Sequence, residues 1–302
     1  MPSYDFVTVD VFTDQRFRGN PLAVFPDAAG LTVPQMQAIA AEFNLSETTF
    51  VFPPADPRHH ARVRIFTRTA EMPFAGHPNV GTGYVLARMA GDPPEHYTFE
   101  EPAGLVRVHI LRDQGGAITG ARVAAPRSLS IEVAVPAETI AACAGLAPHD
   151  IATQHHTPLV ASVGTQFVIA EVASVAALSR ATPDITAFRT AAPRFPELTG
   201  RLALYLYAWS GDGERRLRAR MFAPLGGTVE DPATGSAAAT LAALLTSIAP
   251  GENANLQYAI EQGVEMGRPS LIIAAAAKTA EGPVSASVAG GCVEVMRGTL
   301  QL

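Results

Sequence analysis

The chain has 302 residues and a formal net charge of −6, which excludes the basic footprint of a nucleic-acid or anionic-lipid binder. Apolar residues make up 48% and charged residues 17%, enough for a large core and too apolar for intrinsic disorder. The longest apolar run, residues 237–249, is shorter than the ~20 residues of a spanning helix and carries Thr240, Thr246 and Ser247.

The first residues lack a cationic n-region and carry Asp5 and Asp10, so no secretory signal is expected and the protein reads as cytoplasmic. Residues 4–12 alternate as a strand, and 21–25 give a second. Thr32, Pro34 and Gln35 read as a capped helix start, and Met36, Ile39, Ala40 and Phe43 then share one face. β-Branched and aromatic composition returns at 48–52 and 61–67. A second helix is expected over 78–89, stopped by Gly91 with Pro93 beyond it. Strands follow around 97–100, 105–111 and 121–124. The second half repeats this order. It has a strand at 167–170, a short helix over 184–190, and strands at 202–209 and 217–222. A helix then runs from near Ser236 to before Pro250, and strands close the chain at 270–275, 284–289 and 292–300.

Local signatures support an internal duplication. RIFT at 64–67 precedes Gly76-His77, and RMFA at 220–223 precedes Gly235-Ser236. Each pair opens an apolar helix. The second, over 237–245, is apolar nearly all round and must be enclosed. The predicted fold class is α+β, with two pseudo-symmetric domains, each a curled, mostly antiparallel sheet around a central helix. The halves are expected as 1–127 and 128–302, with the boundary near residues 126–130. The last strand, about 285–302, is a candidate for packing back onto the first half.

Three segments carry residues suited to chemistry. Glu47 sits between a helix and a strand. A capping box with Asn44 would need a helix to follow, and 48–52 reads as strand. A carboxylate wedged between apolar elements is partly desolvated, which raises its pKa toward that of a general acid/base. His77 is an unfavoured helix cap, and the dipole at a helix start favours neutral imidazole. Gly76 and Gly235 let backbone amides approach a ligand where helices begin, and such ends bind anions. If the two domains face each other, a small carboxylate is the natural guest. Asp231 starts an Asp-Pro turn five residues before Ser236. The bland readings are a packing histidine, a turn aspartate and a plain Ser236 N-cap.

Other features point away from cofactors. The pairs His59-His60 and His155-His156 match no zinc spacing, so no metal is expected. No phosphate-binding glycine motif occurs, so no nucleotide cofactor is expected either. Cys143 and Cys292 form no CxxC and read as buried, unpaired thiols. Ser236, His77 and Asp231 are the right residue types for a hydrolase triad, but TGSAA is not a G-x-S-x-G elbow.

Six motifs lie in one order along nearly the whole chain: FRGNPLAVF at 17–25, NLSETTF at 44–50, FAGHP at 74–78, RMFAP at 220–224, EDPATGS at 230–236 and QGVEMGRP at 262–269. In these the chain resembles the PhzF family of phenazine-biosynthesis isomerases. The resemblance implies a diaminopimelate-epimerase-like fold, a homodimer, and no cofactor or metal. It implies a cofactor-independent isomerase that moves a proton on a small cyclic amino or hydroxy carboxylate, as in trans-2,3-dihydro-3-hydroxyanthranilate isomerisation. There a proton leaves C3, one returns at C1, and the enol becomes a ketone. Glu47 looks like the family's acid/base, with His77, Asp231 and Ser236 assisting. Asn20, Ser46, Gly76 and Gly235 look like substrate-binding positions. Fold relatives that use two thiols carry them beside the glycine turns, where this chain has Ala75 and Ala233. The alternatives are a different small-carboxylate substrate, a binding-only role, and the Ser236 hydrolase.

Overall fold

The structure is a computed structural model that describes residues 2–211 and 213–302. Backbone contacts divide the chain into two units. Unit 1 is Met1–Pro126 with Val288–Leu302, and unit 2 is Arg127–Ser287.

Unit 1 opens with β1 (Ser3–Val11), β2 (Asn20–Phe25), α1 (Val33–Phe43) and β3 (Glu47–Phe52). It continues through β4 (Ala61–Phe66), β5 (Glu71–Met72), α2 (Gly76–Met89), β6 (His96–Glu101), β7 (Gly104–Arg112) and β8 (Ile118–Ala124). Unit 2 starts with β9 (Ser130–Ala134), α3 (Ala137–Ala144), β10 (Ile151–Ala152), β11 (Leu159–Ser162) and β12 (Gln166–Val172). Next come α4 (Val175–Arg180), α5 (Ile185–Ala191), β13 (Leu204–Trp209), β14 (Arg216–Ala223) and β15 (Thr228–Asp231). Then follow α6 (Gly235–Ile248), β16 (Ala254–Gln262) and β17 (Ser270–Thr279). The last strand, β18 (Gly282–Gln301), begins in unit 2 and finishes in unit 1.

In unit 1 the sheet closes on itself. β1 lies antiparallel between β2 and β18, β2 is parallel to β3, and β3 is antiparallel to β4. β4 is parallel to β6, β6–β7 and β7–β8 are antiparallel, and β8 returns to β18. A closed barrel leaves no open edge. Its interior is occupied by α2, which packs on β1, β2, β3, β7 and β8. Outside the barrel, α1 places Met36, Ile39 and Ala40 against Phe25, Phe50 and Phe66. The rings of Phe25 and Phe50 stack at 5.1 Å.

Unit 2 repeats the pairing order. β12 is parallel to β13, β13 is antiparallel to β14, and β14 is antiparallel to β15 and parallel to β16. These are the relations of β2, β3, β4, β5 and β6. The helix that follows the short strand, α6, is buried from Ala237 to Thr246. The fold is therefore α+β, with one plan used twice.

The local elements follow from their residues. The Thr32 N–H donates to Gln35 Oε1 at 2.9 Å, as the predicted cap requires. Asn44 is a left-handed C-cap of α1 with φ +54°, not a capping partner of Glu47. The start of α2 lies at Gly76, two residues before the expected position, and its N-cap is Ala75. Its end differs too: the chain leaves through an extended Ala90, with no left-handed turn at Gly91. For α6 the N-cap is Thr234, so Ser236 lies inside the first turn instead of capping it. The strands expected at 284–289 and 292–300 are one strand, because Gly290 continues it where a side chain could not. A Cβ there would stand 2.4 Å from the Phe12 ring.

Glycine inside α2 is likewise a packing requirement. A Cβ at Gly81 would lie 2.6 Å from Leu22 Cδ2 and 2.9 Å from Val11 Cγ2. Gly81→Val is expected to lower stability by about 1–3 kcal/mol through overpacking, read by urea unfolding. At an exposed helical site, removing glycine would stabilise the helix. A variant at least as stable as the parent would mean that α2 does not fill the barrel as described.

Candidate active site

The pleat of β3 sets the first half of the site. Alternate residues face opposite sides of a strand. Thr49 faces α2, where its hydroxyl meets that of Thr82 at 2.9 Å. Glu47 lies two residues earlier on the same face, and His77 lies in the first turn of α2. Their side chains meet with Glu47 Oε2 at 3.3 Å from His77 Nε2. The other ring nitrogen, Nδ1, is 3.5 Å from Asn20 Nδ2 on β2. An amide N–H can only donate, so Nδ1 accepts and the ring proton lies on Nε2, facing the carboxylate.

Burial settles the charge of this histidine. His77 is 5% exposed. Desolvation pushes its pKa down to about 3, so the imidazole is neutral at physiological pH. The structure thus brings Glu47, His77 and Asn20 together. Ser46 precedes Glu47 at the mouth of β3, and Gly76 precedes His77 as the first residue of α2. The backbone amides that start a helix have no partner within it, so those of Gly76 and His77 suit an anion.

In unit 2, Asp231 ends β15 and α6 starts at Gly235. The connection between them is held by Gln262 of β16, which is fully buried. Its Nε2 donates to the Asp231 carbonyl at 2.8 Å and to Thr234 Oγ1 at 3.0 Å. Its Oε1 accepts from the Thr234 N–H and the Tyr205 hydroxyl, both at 3.2 Å. The Thr234 hydroxyl in turn donates to Asp231 Oδ2 at 2.5 Å. This network fixes the Asp231 carboxylate relative to the amides of Gly235 and Ser236. Ser236 is half-buried in the first helical turn.

Neither residue type nor spacing marks Gln262 and Thr234 as site residues. The sequence signals for them are the places of Gln262 in the QGVEMGRP motif and of Thr234 in EDPATGS. Gln262→Leu keeps the volume but strands a carbonyl, an amide and a hydroxyl in the interior. It is expected to destabilise the protein by about 3 kcal/mol or more, read by chemical denaturation. A loss below ~1 kcal/mol would mean that water takes over these bonds.

Both cysteines lie away from the glycine turns and are buried. Burial pushes the Cys143 thiol up to about 11 and the Cys292 thiol up as well, so neither is a ready thiolate. Among the described residues, no group of three or more His, Cys, Asp or Glu side chains is placed to hold a metal ion. Nor is any helix long and apolar enough to cross a membrane. The hydrolase reading fares poorly on His77: its nitrogens already face Glu47 and Asn20, and a base with so low a pKa takes a serine proton badly.

Comparison with known proteins finds relatives along nearly the whole chain. The family model described as phenazine biosynthesis-like protein, PhzC-PhzF, matches residues 9–298. An uncharacterized isomerase of Mesorhizobium japonicum is 40% identical over 302 residues, covering 99% of each chain. The trans-2,3-dihydro-3-hydroxyanthranilate isomerase of Pseudomonas chlororaphis is 37% identical over 301 residues, covering 99% of this chain and 100% of that one. The crystal structure of a PhzF-family phenazine biosynthesis protein from Bacillus anthracis shares the fold, with a TM-score of 0.86, 24% identity and 100% coverage of both chains. A match running almost end to end, on a chain that uses one strand-and-helix plan twice, places it in the PhzF family of isomerases.

Proposed function

We propose that the protein is a cofactor-independent isomerase that moves a proton on a small cyclic amino or hydroxy carboxylate, with Glu47 as the acid/base. The observation that carries this reading is the Glu47–His77 contact at 3.3 Å, with Asn20 on the far ring nitrogen. The Glu47 carboxylate takes a proton from ring carbon and returns it to another carbon on the same face, so no atom is gained or lost. A neutral His77 Nε2–H stabilises the carboxylate between transfers without competing for the proton. In this reading the amides of Gly76 and His77, and those of Gly235 and Ser236, are donors for the substrate carboxylate. Asp231 and Ser236 assist the proton traffic, and Asn20 and Ser46 bind substrate. A cytoplasmic homodimer without metal or cofactor belongs to the same proposal.

The first substrate to test is trans-2,3-dihydro-3-hydroxyanthranilate, the compound named for the Pseudomonas chlororaphis relative. The protein would be incubated with it in D2O and followed by NMR. Conversion with deuterium entering the ring supports both the reaction and the substrate. Exchange without conversion, or exchange seen only on other small carboxylates, would keep the proton-transfer reading and replace the substrate. No exchange on any cyclic carboxylate that binds would overturn the isomerase reading in favour of a binding-only role.

A further inference from the structure

The duplicated plan carries one ion pair twice. Arg64 of β4 and Arg220 of β14 stand at matching places, each two residues before a phenylalanine on the same face of its strand. The guanidinium of Arg64 lies over the Phe66 ring at 5.3 Å, and that of Arg220 over the Phe222 ring at 4.8 Å. The residue paired with each phenylalanine on the next strand is a glutamate, Glu71 on β5 and Glu230 on β15. Both arginines reach it with two prongs. Arg64 Nε and Nη2 donate to Glu71 Oε1 and Oε2 at 2.7 and 2.5 Å. Arg220 Nε and Nη2 donate to Glu230 Oε1 and Oε2 at 2.8 and 2.9 Å. Arg220 spends its Nη1 as well, on the carbonyls that end α4, with that of Ala181 at 2.7 Å. It is the deeper of the two at 6% exposed, whereas Arg64 is half-buried.

From each glutamate the chain takes the same path to the start of a helix. EMPFAG at 71–76 and EDPATG at 230–235 share glutamate, proline and glycine in register, and the two glycines open α2 and α6. In unit 2 the residue after Glu230 is Asp231, which strand alternation turns to the opposite face. Little else holds these strands, since β5 is two residues long and β15 four. An ion pair that water reaches adds little to stability, but a guanidinium fork on a carboxylate fixes angle as well as distance. We propose that Arg64 and Arg220 are positioning residues. Each grips, through its two-pronged bond to Glu71 or Glu230, the short strand that leads into the helix. Each thereby sets where the amides of Gly76 and His77, or of Gly235 and Ser236, stand. The proposal rests on the reading of those amides as the cradle of a substrate carboxylate, but the placement of the turns is testable without a substrate.

The test is backbone NMR of the ligand-free protein with Arg64→Ala, whose half-buried site leaves room for a guanidinium ion. The amide signals of Glu71, Met72, Gly76 and His77 should shift and broaden as the turn samples several conformations on the microsecond-to-millisecond scale. Strand amides outside β4 and β5 should keep their positions. Millimolar guanidinium should restore the wild-type signals, and ammonium at the same concentration should not, because a point charge cannot meet both carboxylate oxygens in a fixed fork. Arg64→Lys keeps the charge and should leave the turn as loose as alanine does. Glu230→Gln, which leaves Arg220 its carbonyl partners, should loosen Gly235 and Ser236 in the same way. On a turned-over substrate Arg64→Ala should lose about 10²-fold in kcat/KM through misplacement, and guanidinium should recover it. Unmoved Gly76 and His77 signals, a wild-type spectrum in Arg64→Lys, or recovery that ammonium matches or guanidinium fails to give would overturn the proposal. So would signals changed throughout unit 1, the mark of a role in stability alone. Should Arg64→Ala not fold, Glu71→Gln decides by the same signals. Failure of the proton-exchange assay would touch the proposed function alone.

Discussion

Glu47→Gln should lower the rate of deuterium entry into a turned-over substrate by about 10²–10⁴-fold, the usual cost of removing a general acid/base. The substitution keeps the shape of the side chain and its place on the α2 side of β3, so substrate affinity should change little. An amide, however, neither accepts a carbon-bound proton nor returns one. The loss should appear in kcat far more than in KM, because the group acts in the transition state. His77 offers no bypass: burial holds it neutral, with a pKa near 3, so it cannot replace the missing base at neutral pH. A variant that retains near-full exchange would remove Glu47 from the mechanism. The contact at 3.3 Å would then be a structural pair and the base would lie elsewhere.

The second large effect is on stability and belongs to Glu101. Its carboxyl is raised from an ordinary 4.5 to about 8 by burial. Between those values the folded protein holds a proton that the unfolded chain has released. Stability therefore falls as pH rises, by about 1.4 kcal/mol per pH unit, and levels off above pH 8. Glu101→Gln has no such proton to lose. It should be close to the wild type below about pH 4.5 and pull ahead as pH rises, reaching about 5 kcal/mol above pH 8. The histidines depressed by burial, His60, His77, His109 and His156, act in the opposite direction below their ordinary value, but equally in both proteins. The difference between the two denaturation curves at each pH thus isolates Glu101. A constant difference across the range would show that the carboxyl ionises as freely in the folded state as in the unfolded one.

Much of the fold could be read from local pattern. The buried stripe of α1, the capped start at Thr32 and the all-round apolar face of α6 were visible as periodicity. The duplication was legible because the same strand-turn-helix signature occurs twice. What escaped were features set by distant neighbours. The unbroken run of β18 through Gly290-Gly291 depends on Phe12 and Thr13, far away in sequence, which crowd a side chain at Gly290 and Gly291 respectively. The two-residue shift of the α2 start, and Thr234 displacing Ser236 as the cap of α6, are choices among adjacent residues that local propensity does not resolve. The short helices α3 and α4 gave too few turns for a clear period. At the site, Glu47 and His77 were named from residue type and place, whereas their contact is a product of the barrel. Glu101 was legible in principle: the alternation of HYTFEE puts it in line with Tyr97 and Phe99, a buried position where a carboxylate has no business unless it is neutral or paired.

The return of β18 to β1 has a further meaning for how the molecule is made. The seam of the first barrel is closed by residues 288–302, which follow the whole of unit 2 along the chain. Until they arrive, β1 and β8 each present a row of unpaired backbone groups, and α2 lies in an open trough. The second unit, whose strands are nearly contiguous in sequence, can complete its core while the first still waits. Synthesis thus delivers the strand that seals the half carrying Glu47 and His77 only after all of the second unit. A chain cut short by about 15 residues would lose no residue of the site, yet it would leave that site on an unsealed sheet prone to pair with its neighbours.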